Sequence, residues 1–260
     1  MQVPLKKIAL TKASFQNCMR YLSTASMSEK KIQEEKDNLK ELITNISHQT
    51  KTPLTNIRMY SELLTEVAAT EQEKEYAGEV FAQGKKLESL IEALVKMSRL
   101  ETGIFQYQKK ETAYREIIHK AVEQALPKAS EKNISILVRD VGRYRSYVDE
   151  KWVIEAVYNI LDNGIKYSGE GTTVYIEEFS YEFFSGIRIT DQGIGISEEE
   201  IPLLFGRFYR GRSAHDKEGI GVGLFLAREI VENNGGYIKV TSQVGTGSRF
   251  DVCFPNISTL

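Results

Sequence analysis

The sequence predicts an α+β chain in two parts: an antiparallel helical hairpin, forming a dimeric four-helix bundle with a second copy, followed by a separate domain of mixed helices and strands. Three observations carry this expectation. Apolar residues recur at helical spacing along residues 39 to 64 and again along 76 to 98. The eight residues between them, AATEQEKE, are short and polar, as a hairpin connection requires. After LETG, residues 100 to 103, helical segments begin to alternate with period-two stretches.

In the first helix Leu39, Leu42, Ile43, Ile46, Leu54, Ile57, Tyr60 and Leu64 fall in a band roughly 120° wide at about 100° per residue. Tyr76, Val80, Leu87, Ile91, Leu94 and Ser98 form a matching band in the second. One hairpin has too little core to stand alone, so two copies packed together bury both stripes and the chain is expected to be a homodimer. The helical domain is placed at residues 28–101 and the second domain at 102–260. Residues 1–27 carry no clear signal and form a lead-in of uncertain structure. In the second domain the spacing predicts helices near 114–126, 149–167 and 197–205, with strands in TTVYIEEF, SGIRITD and GYIKVTSQVGTGSRFDVCF. Asp149 can cap the second of these helices, and Ser197 with Glu200 reads as the capping box of the third.

Composition narrows the function classes. At 260 residues, 41% hydrophobic and 27% charged, the chain is globular. A net charge of −2 with interspersed signs gives no electrostatic case for nucleic acid. Cys18 and Cys253 are far apart and lack metal-ligand spacing, which argues against a disulfide framework or zinc site and for a reducing, cytoplasmic setting. No apolar run approaches the ~18 residues needed to span a bilayer, and the opening MQVPLKKIALTKASF lacks a signal-peptide core. No membrane contact is expected of this chain, although the intracellular part of a longer membrane protein would look the same.

The helix WVIEAVYNILDNGIKY puts Asn159 and Asn163 one turn apart, with Lys166 and Tyr167 a further turn on, so amides, ammonium and phenol share one side. Such a face suits a metal-bound polyphosphate, though alone the asparagines read as readily as satisfied core amides. Two glycine-rich stretches change that balance. DQGIGI, from Asp191 through Gly193 and Gly195, follows a strand. GIGVGL, with Gly219, Gly221 and Gly223, opens a helix whose N-terminal N–H groups and dipole favour phosphate. A dinucleotide-binding reading needs a strand before the second stretch, and the polar loop GRSAHDKE stands there instead.

HQTKTP, NILDNGIKY, DQGIGI, LLFGRFYRG and GIGVGLFLAREIV, in that order, resemble the phosphoacceptor box, N box, first glycine box, F box and second glycine box of the sensor histidine kinases of two-component systems. The resemblance covers residues from about 30 to 255. It implies an α/β sandwich ATPase domain of the histidine kinase type, with ATP and Mg²⁺ as cofactors and a response regulator receiver domain as partner. By matching position, Asn159 corresponds to the Mg²⁺-binding asparagine, Asn163 and Lys166 lie near the phosphates, and Tyr167 lies against adenine. Asp191 accepts from the adenine amino group, with Gly193 and Gly195 leaving room for the base. Arg210 corresponds to the arginine that reaches the γ-phosphate, and residues 206 to 218 to a lid over ATP.

In the same resemblance His48 is the phosphoacceptor, and Thr52, one turn on, is the residue that positions water for dephosphorylation of the regulator. Helical geometry places His48 opposite the apolar stripe, open to solvent, where a neutral imidazole offers a lone pair for in-line attack. Pro53 lacks an N–H, frees the carbonyl of Gln49 and permits a bend beside His48. Gln49 departs from the family pattern, which has Glu or Asp there, since an amide cannot act as a base. Glu155 reads as an exposed helix glutamate, and His119 and His215 as surface or packing residues. Two rivals remain: a non-catalytic nucleotide-sensing dimer, and an ATP-hydrolysing chaperone or repair protein of the same nucleotide-binding fold.

Overall fold

The structure, a computed structural model, describes residues 49–101, 107–139, 142–211 and 220–257, with isolated helical positions between 19 and 46; the side chains of 99–101 are not described. His48, Gly219, His215, Cys18 and part of the expected lid lie outside these residues. The chain divides into two compact units, Met1–Ile104 and Phe105–Leu260.

The first unit is a helical hairpin, α1 over residues 49–67 and α2 over Glu71–Glu101. Helix α1 runs through Pro53 without a break. The N-terminus of α2 is fixed by a capping box that the connector hides in its polarity. Thr70 Oγ1 accepts from the Glu73 N–H at 3.2 Å, and the Glu73 carboxylate accepts from the N–H groups of Thr70 at 3.0 Å and Ala69 at 2.8 Å. Those backbone donors, Thr70 first, hold the Glu73 carboxyl below its ordinary pKa.

Within one chain the described residues of the two helices bury a thin seam at Leu54, Ser61, Ala77, Gly84, Met97 and Ser98, tied by an Arg58–Glu88 ion pair at 3.2 Å. Most of the apolar stripe faces outward. Leu42, Ile46, Ile57, Tyr60, Leu64, Tyr76, Val80, Leu87 and Leu94 are 39–59% exposed. A pair of helices has two contacting flanks and no interior, so apart from Leu54 and Met97 small residues fill the seam, and most of the large ones remain on the open face.

The second unit has a mixed five-stranded sheet ordered β2-β4-β5-β7-β6, from β2 Ser135–Arg139, β4 Thr173–Ser180, β5 Phe184–Thr190, β6 Tyr237–Gln243 and β7 Gly247–Pro255. Strands β2 and β4 are parallel and the remaining pairs antiparallel. A two-stranded ribbon joins β1 Lys110–Ala113 to β3 Arg145–Val148. Helices α3 Tyr114–Glu131, α4 Glu150–Tyr167 and α5 Gly223–Asn233 pack against one another and the sheet. Their buried faces, including Ile117, Ala121, Val157, Leu161, Ala227 and Ile230, meet the sheet rows Ile176–Ile189–Phe250 and Ile187–Val252. On the other face Arg139, Glu177, Arg188, Asp251 and Lys239 lie in register across all five strands with alternating charge. Arg188 grips Asp251 with two bonds, Nε at 2.7 Å and Nη2 at 3.1 Å, which satisfies a carboxylate only 1% exposed.

Two expectations are corrected. Helix α3 continues past residue 126, through Pro127, to Glu131. Residues 197–205 form turns and a short 3₁₀ segment, Ile201–Leu203, in place of an α-helix. Ser197 and Glu200 make no capping box: Ser197 Oγ donates to Glu200 Oε2 at 3.1 Å, and Tyr209 holds Oε1 at 3.3 Å. With its carboxylate bound to these hydroxyls and Pro202 removing a donor, the segment tightens and ends.

Candidate functional site

The candidate site is built on one side of α4. Asp149 Oδ1 accepts the Trp152 N–H at 3.3 Å as the N-cap, as expected, and Oδ2 accepts the N–H of Gln108 at 2.8 Å. From that fixed start, Asn159, Asn163, Lys166 and Tyr167 fall together, each half-buried, on the flank left by the apolar face of Val153, Val157, Ile160 and Leu161. Asn159 donates its amide nitrogen to the Glu155 carbonyl at 2.9 Å. Its Oδ1 turns toward the start of α5, where a Cβ on Gly223 would sit 3.1 Å away. The oxygen, not the NH₂, therefore faces the phosphate-favouring helix terminus, the orientation a hard cation requires of an amide ligand. Among the described residues no cluster of three or more His, Cys, Asp or Glu side chains could hold a metal. Lys166 Nζ reaches the Tyr167 hydroxyl at 3.0 Å. Glu155 is half-buried, in place of the exposed surface position expected, while His119 is exposed.

Asp191 follows directly on β5 and is 7% exposed. Its Oδ1 accepts two backbone N–H groups, from Gly193 at 2.8 Å and Ser248 at 3.1 Å. Burial nevertheless raises its pKa above the ordinary carboxylate value, with those two donors opposing the shift. The glycines after it are required by close approach. A Cβ on Gly193 would lie 2.8 Å from the Tyr167 carbonyl oxygen, and one on Gly195, whose φ is +69°, would lie 2.0 Å from that of Gln243. The first glycine stretch is thus clasped between the end of α4 and the β6–β7 hairpin.

The second stretch is packed differently. Gly221, at φ +77°, has Tyr209 O 2.6 Å from its would-be Cβ, so the backbone of RFYRG lies on it. Phe208 takes φ +59°, a left-handed conformation costly for a bulky residue and found where a functional loop is over-determined by its surroundings. Arg210 is half-buried beside it. In the hairpin, Gln49, Thr52 and Pro53 are helical and exposed.

Several residues of this neighbourhood escape a reading of the sequence. Gly247, at φ +126°, would place a Cβ 2.1 Å from the Asp191 carbonyl oxygen, and Ser248 supplies one of the Asp191 donors. The G-T-G turn between β6 and β7 is the signal that could have marked them. Lys132 gives no local signal, because its partners lie 33 to 36 positions away.

Residues 38–103 match the family described as the His Kinase A (phospho-acceptor) domain, and residues 148–257 match the Histidine kinase-, DNA gyrase B-, and HSP90-like ATPase family. The sensor-like histidine kinase SenX3 of Mycolicibacterium smegmatis (strain ATCC 700084 / mc(2)155) is 30% identical over 219 residues, covering 83% of this chain and 57% of that protein. The signal transduction histidine-protein kinase/phosphatase MprB of Mycobacterium sp. (strain KMS) is 30% identical over 237 residues, covering 88% of this chain and 45% of its own. The chain spans about half the length of these curated relatives. Full-length ShkA, solved in complex with AMPPNP, shares the fold with a TM-score of 0.67 at 21% identity, over 83% of this chain and 46% of that one. Carrying a phosphoacceptor domain before an ATPase domain of this kind, with its five motifs in the matching order, the chain belongs to the sensor histidine kinases of two-component systems.

Proposed function

We propose that this chain is an ATP-dependent protein-histidine kinase, working as a homodimer, that autophosphorylates His48 from Mg·ATP. It then passes the phosphoryl group to an aspartate of a response regulator receiver domain and acts as a phosphatase toward that regulator. The observation that carries the reading is the buried Asp191 carboxylate, held by two backbone donors beside an α4 face of Asn159, Asn163, Lys166 and Tyr167. A carboxylate so fixed suits the donors of adenine N6, with Tyr167 against the base and Lys166 and Asn163 toward the phosphates. Arg210, with Gly219, Gly221 and Gly223, serves the γ-phosphate end. Asn159 Oδ1 would hold Mg²⁺, which would supply charge neutralisation for the phosphates.

The His48 imidazole lone pair attacks the γ-phosphorus, the bond to the ADP oxygen breaks, and the proton on the other ring nitrogen leaves to solvent. Dimerisation is supported by the outward apolar stripe, which continues into a groove at the hairpin tip lined by Leu64, Val67, Tyr76 and Val80. No described helix is long and apolar enough to cross a membrane, and the relatives are longer sensors. The proposed location is therefore the cytoplasm, as the intracellular part of a membrane-bound sensor or without one. Residues 28–101 and 102–260 are the proposed phosphotransfer and catalytic domains.

Incubation with γ-labelled ATP tests the reading through acid-labile, base-stable label on the protein. Binding with neither label nor phosphate release would identify a nucleotide-sensing dimer, and steady release without label a chaperone or repair ATPase.

Gln49 gives a second test. As the imidazole is phosphorylated it becomes cationic, and a neighbouring carboxylate would stabilise that charge and take the proton. Positioned general bases contribute ~10² to 10⁴-fold, and a retrofitted one recovers a small part of this. Gln49→Glu is expected to raise initial label incorporation several-fold at saturating Mg·ATP, with ATP affinity unaltered; a slower variant would mean the amide is built into the site. Thr52→Ala is expected to lower phosphatase activity toward the phosphorylated regulator more than autophosphorylation, because its hydroxyl would position the attacking water. Equal losses in both assays would indicate helix damage.

A further inference from the structure

Lys132 stands outside every motif of the site, in the turn between α3 and β2. That turn is a Schellman motif. The N–H of Ile134 bonds the Ala129 carbonyl at 2.8 Å, the N–H of Asn133 bonds Ser130 O at 3.1 Å, and Asn133 takes the left-handed conformation at φ +53°. The Lys132 backbone is thereby fixed, and its side chain crosses to the C-terminal end of α4.

There Lys132 Nζ donates to three carbonyls: Ile165 at 2.9 Å, Lys166 at 2.8 Å and Ser168 at 3.1 Å. An ammonium has three protons, and these are three convergent acceptors. A helix leaves its last four carbonyls without internal partners, and its C-terminal dipole favours a cation. At α4 the Gly164 carbonyl takes the Ser168 N–H at 3.1 Å, while those of Ile165 and Lys166 depend on Lys132. Ser168 continues into an isolated bridge with Gly193, the glycine that donates to Asp191. Lys166 and Tyr167, the two nucleotide-facing side chains of this last turn, therefore hang on a backbone whose carbonyls a single distant ammonium holds.

We propose that Lys132 is a positioning residue of the nucleotide site, setting the last turn of α4 so that Lys166, Tyr167 and the Ser168–Gly193 bridge meet Mg·ATP. This rests on the nucleotide-binding reading above. It separates Lys132 from Lys128, which also ties α3 to α4, through Asp162 at 2.5 Å, but does so from the exposed side and one turn before Lys166.

The test is equilibrium Mg·ATP binding by calorimetry on the full chain, with thermal unfolding measured in parallel and amide hydrogen exchange read at Tyr167, Ser168 and Gly193. Lys132→Met is expected to raise the Kd about tenfold, within the ~10²-fold that a 1 Å misplacement can cost, and to speed exchange at those amides. Lys128→Met is expected to lower the Tm while leaving Kd and the three amides unchanged. Lys132→Arg keeps the charge, but a planar fork cannot converge on three carbonyls, so it should fold normally and bind about threefold more weakly than wild type. A lowered Tm with wild-type Kd in Lys132→Met would overturn the proposal and leave Lys132 a structural tie. If that variant does not fold, wild-type affinity in Lys132→Arg overturns it equally. Failure of the wild-type chain to bind Mg·ATP would instead remove the nucleotide reading itself.

Discussion

His48→Ala is expected to abolish incorporation of acid-labile label while leaving Mg·ATP affinity and thermal stability at wild-type values. The proposed nucleophile and the residues of the proposed nucleotide site belong to different compact units, Met1–Ile104 and Phe105–Leu260, so removing the imidazole leaves every one of those residues in place. The next residues on the same helix, Gln49, Thr52 and Pro53, are exposed and helical, and alanine is at least as good a helix former as histidine. Calorimetric titration with Mg·ATP beside γ-label incorporation checks both halves of the statement. Label retained on the variant would reassign the acceptor; lost nucleotide binding would mean that the two units are not independent.

Legibility from sequence followed the range of the interactions. Helix α4 could be bounded because its signals are local: Asp149 caps it from the adjacent position, and the apolar face recurs at helical spacing. Strands β4 to β7 showed through alternation, since one face packs on helices and the other carries the charged row of Glu177, Arg188 and Asp251. The segment 197–205 misled because S-x-x-E is a local signature, whereas its outcome was decided by Tyr209, Pro202 and the turn at Gly206. The connector showed the opposite: the Thr70–Glu73 capping box was present in the sequence, but polarity alone was read from it.

The hairpin illustrates a different limit. Its apolar stripe was legible as a period, and its destination was not, because periodicity reports that a face is apolar without saying what covers it. Within one chain the seam goes to Leu54 and Met97 with the small Ser61, Ala77, Gly84 and Ser98, and most of the large stripe residues stay outward. At the candidate site the side chains followed from motif spacing, while their supports did not. Lys132 and Gly247 meet distant backbone carbonyls, which leave no trace in the sequence, and Ser248 reaches Asp191, 57 positions away, through its own N–H.

Asp191→Asn is expected to weaken Mg·ATP binding by ~10²-fold without unfolding the domain, since a site built to pair a ligand donor loses that much when its acceptor is replaced. The variant separates two roles of one side chain. Oδ1 accepts from Gly193 and Ser248, and an amide oxygen can take both bonds, so the loop keeps its shape. The NH₂ then stands where the second carboxylate oxygen was, opposing the donors of adenine N6. Stability should move the other way. Burial raises the Asp191 pKa, so its ionised form is the less stable in the fold. Its contribution is fully present below the unfolded-state pKa and is lost as pH rises through the folded value. A neutral asparagine removes that penalty, and the nucleotide-free variant should melt at or above the wild-type temperature at pH 7. Wild-type affinity should also fall on acidification sooner than an ordinary carboxylate would allow, and the asparagine variant should lose this component when both proteins are titrated with the same nucleotide at each pH. Unchanged affinity in Asp191→Asn would refute the assignment of Asp191 to the base. A lowered melting temperature would show that its charge serves the fold rather than the ligand.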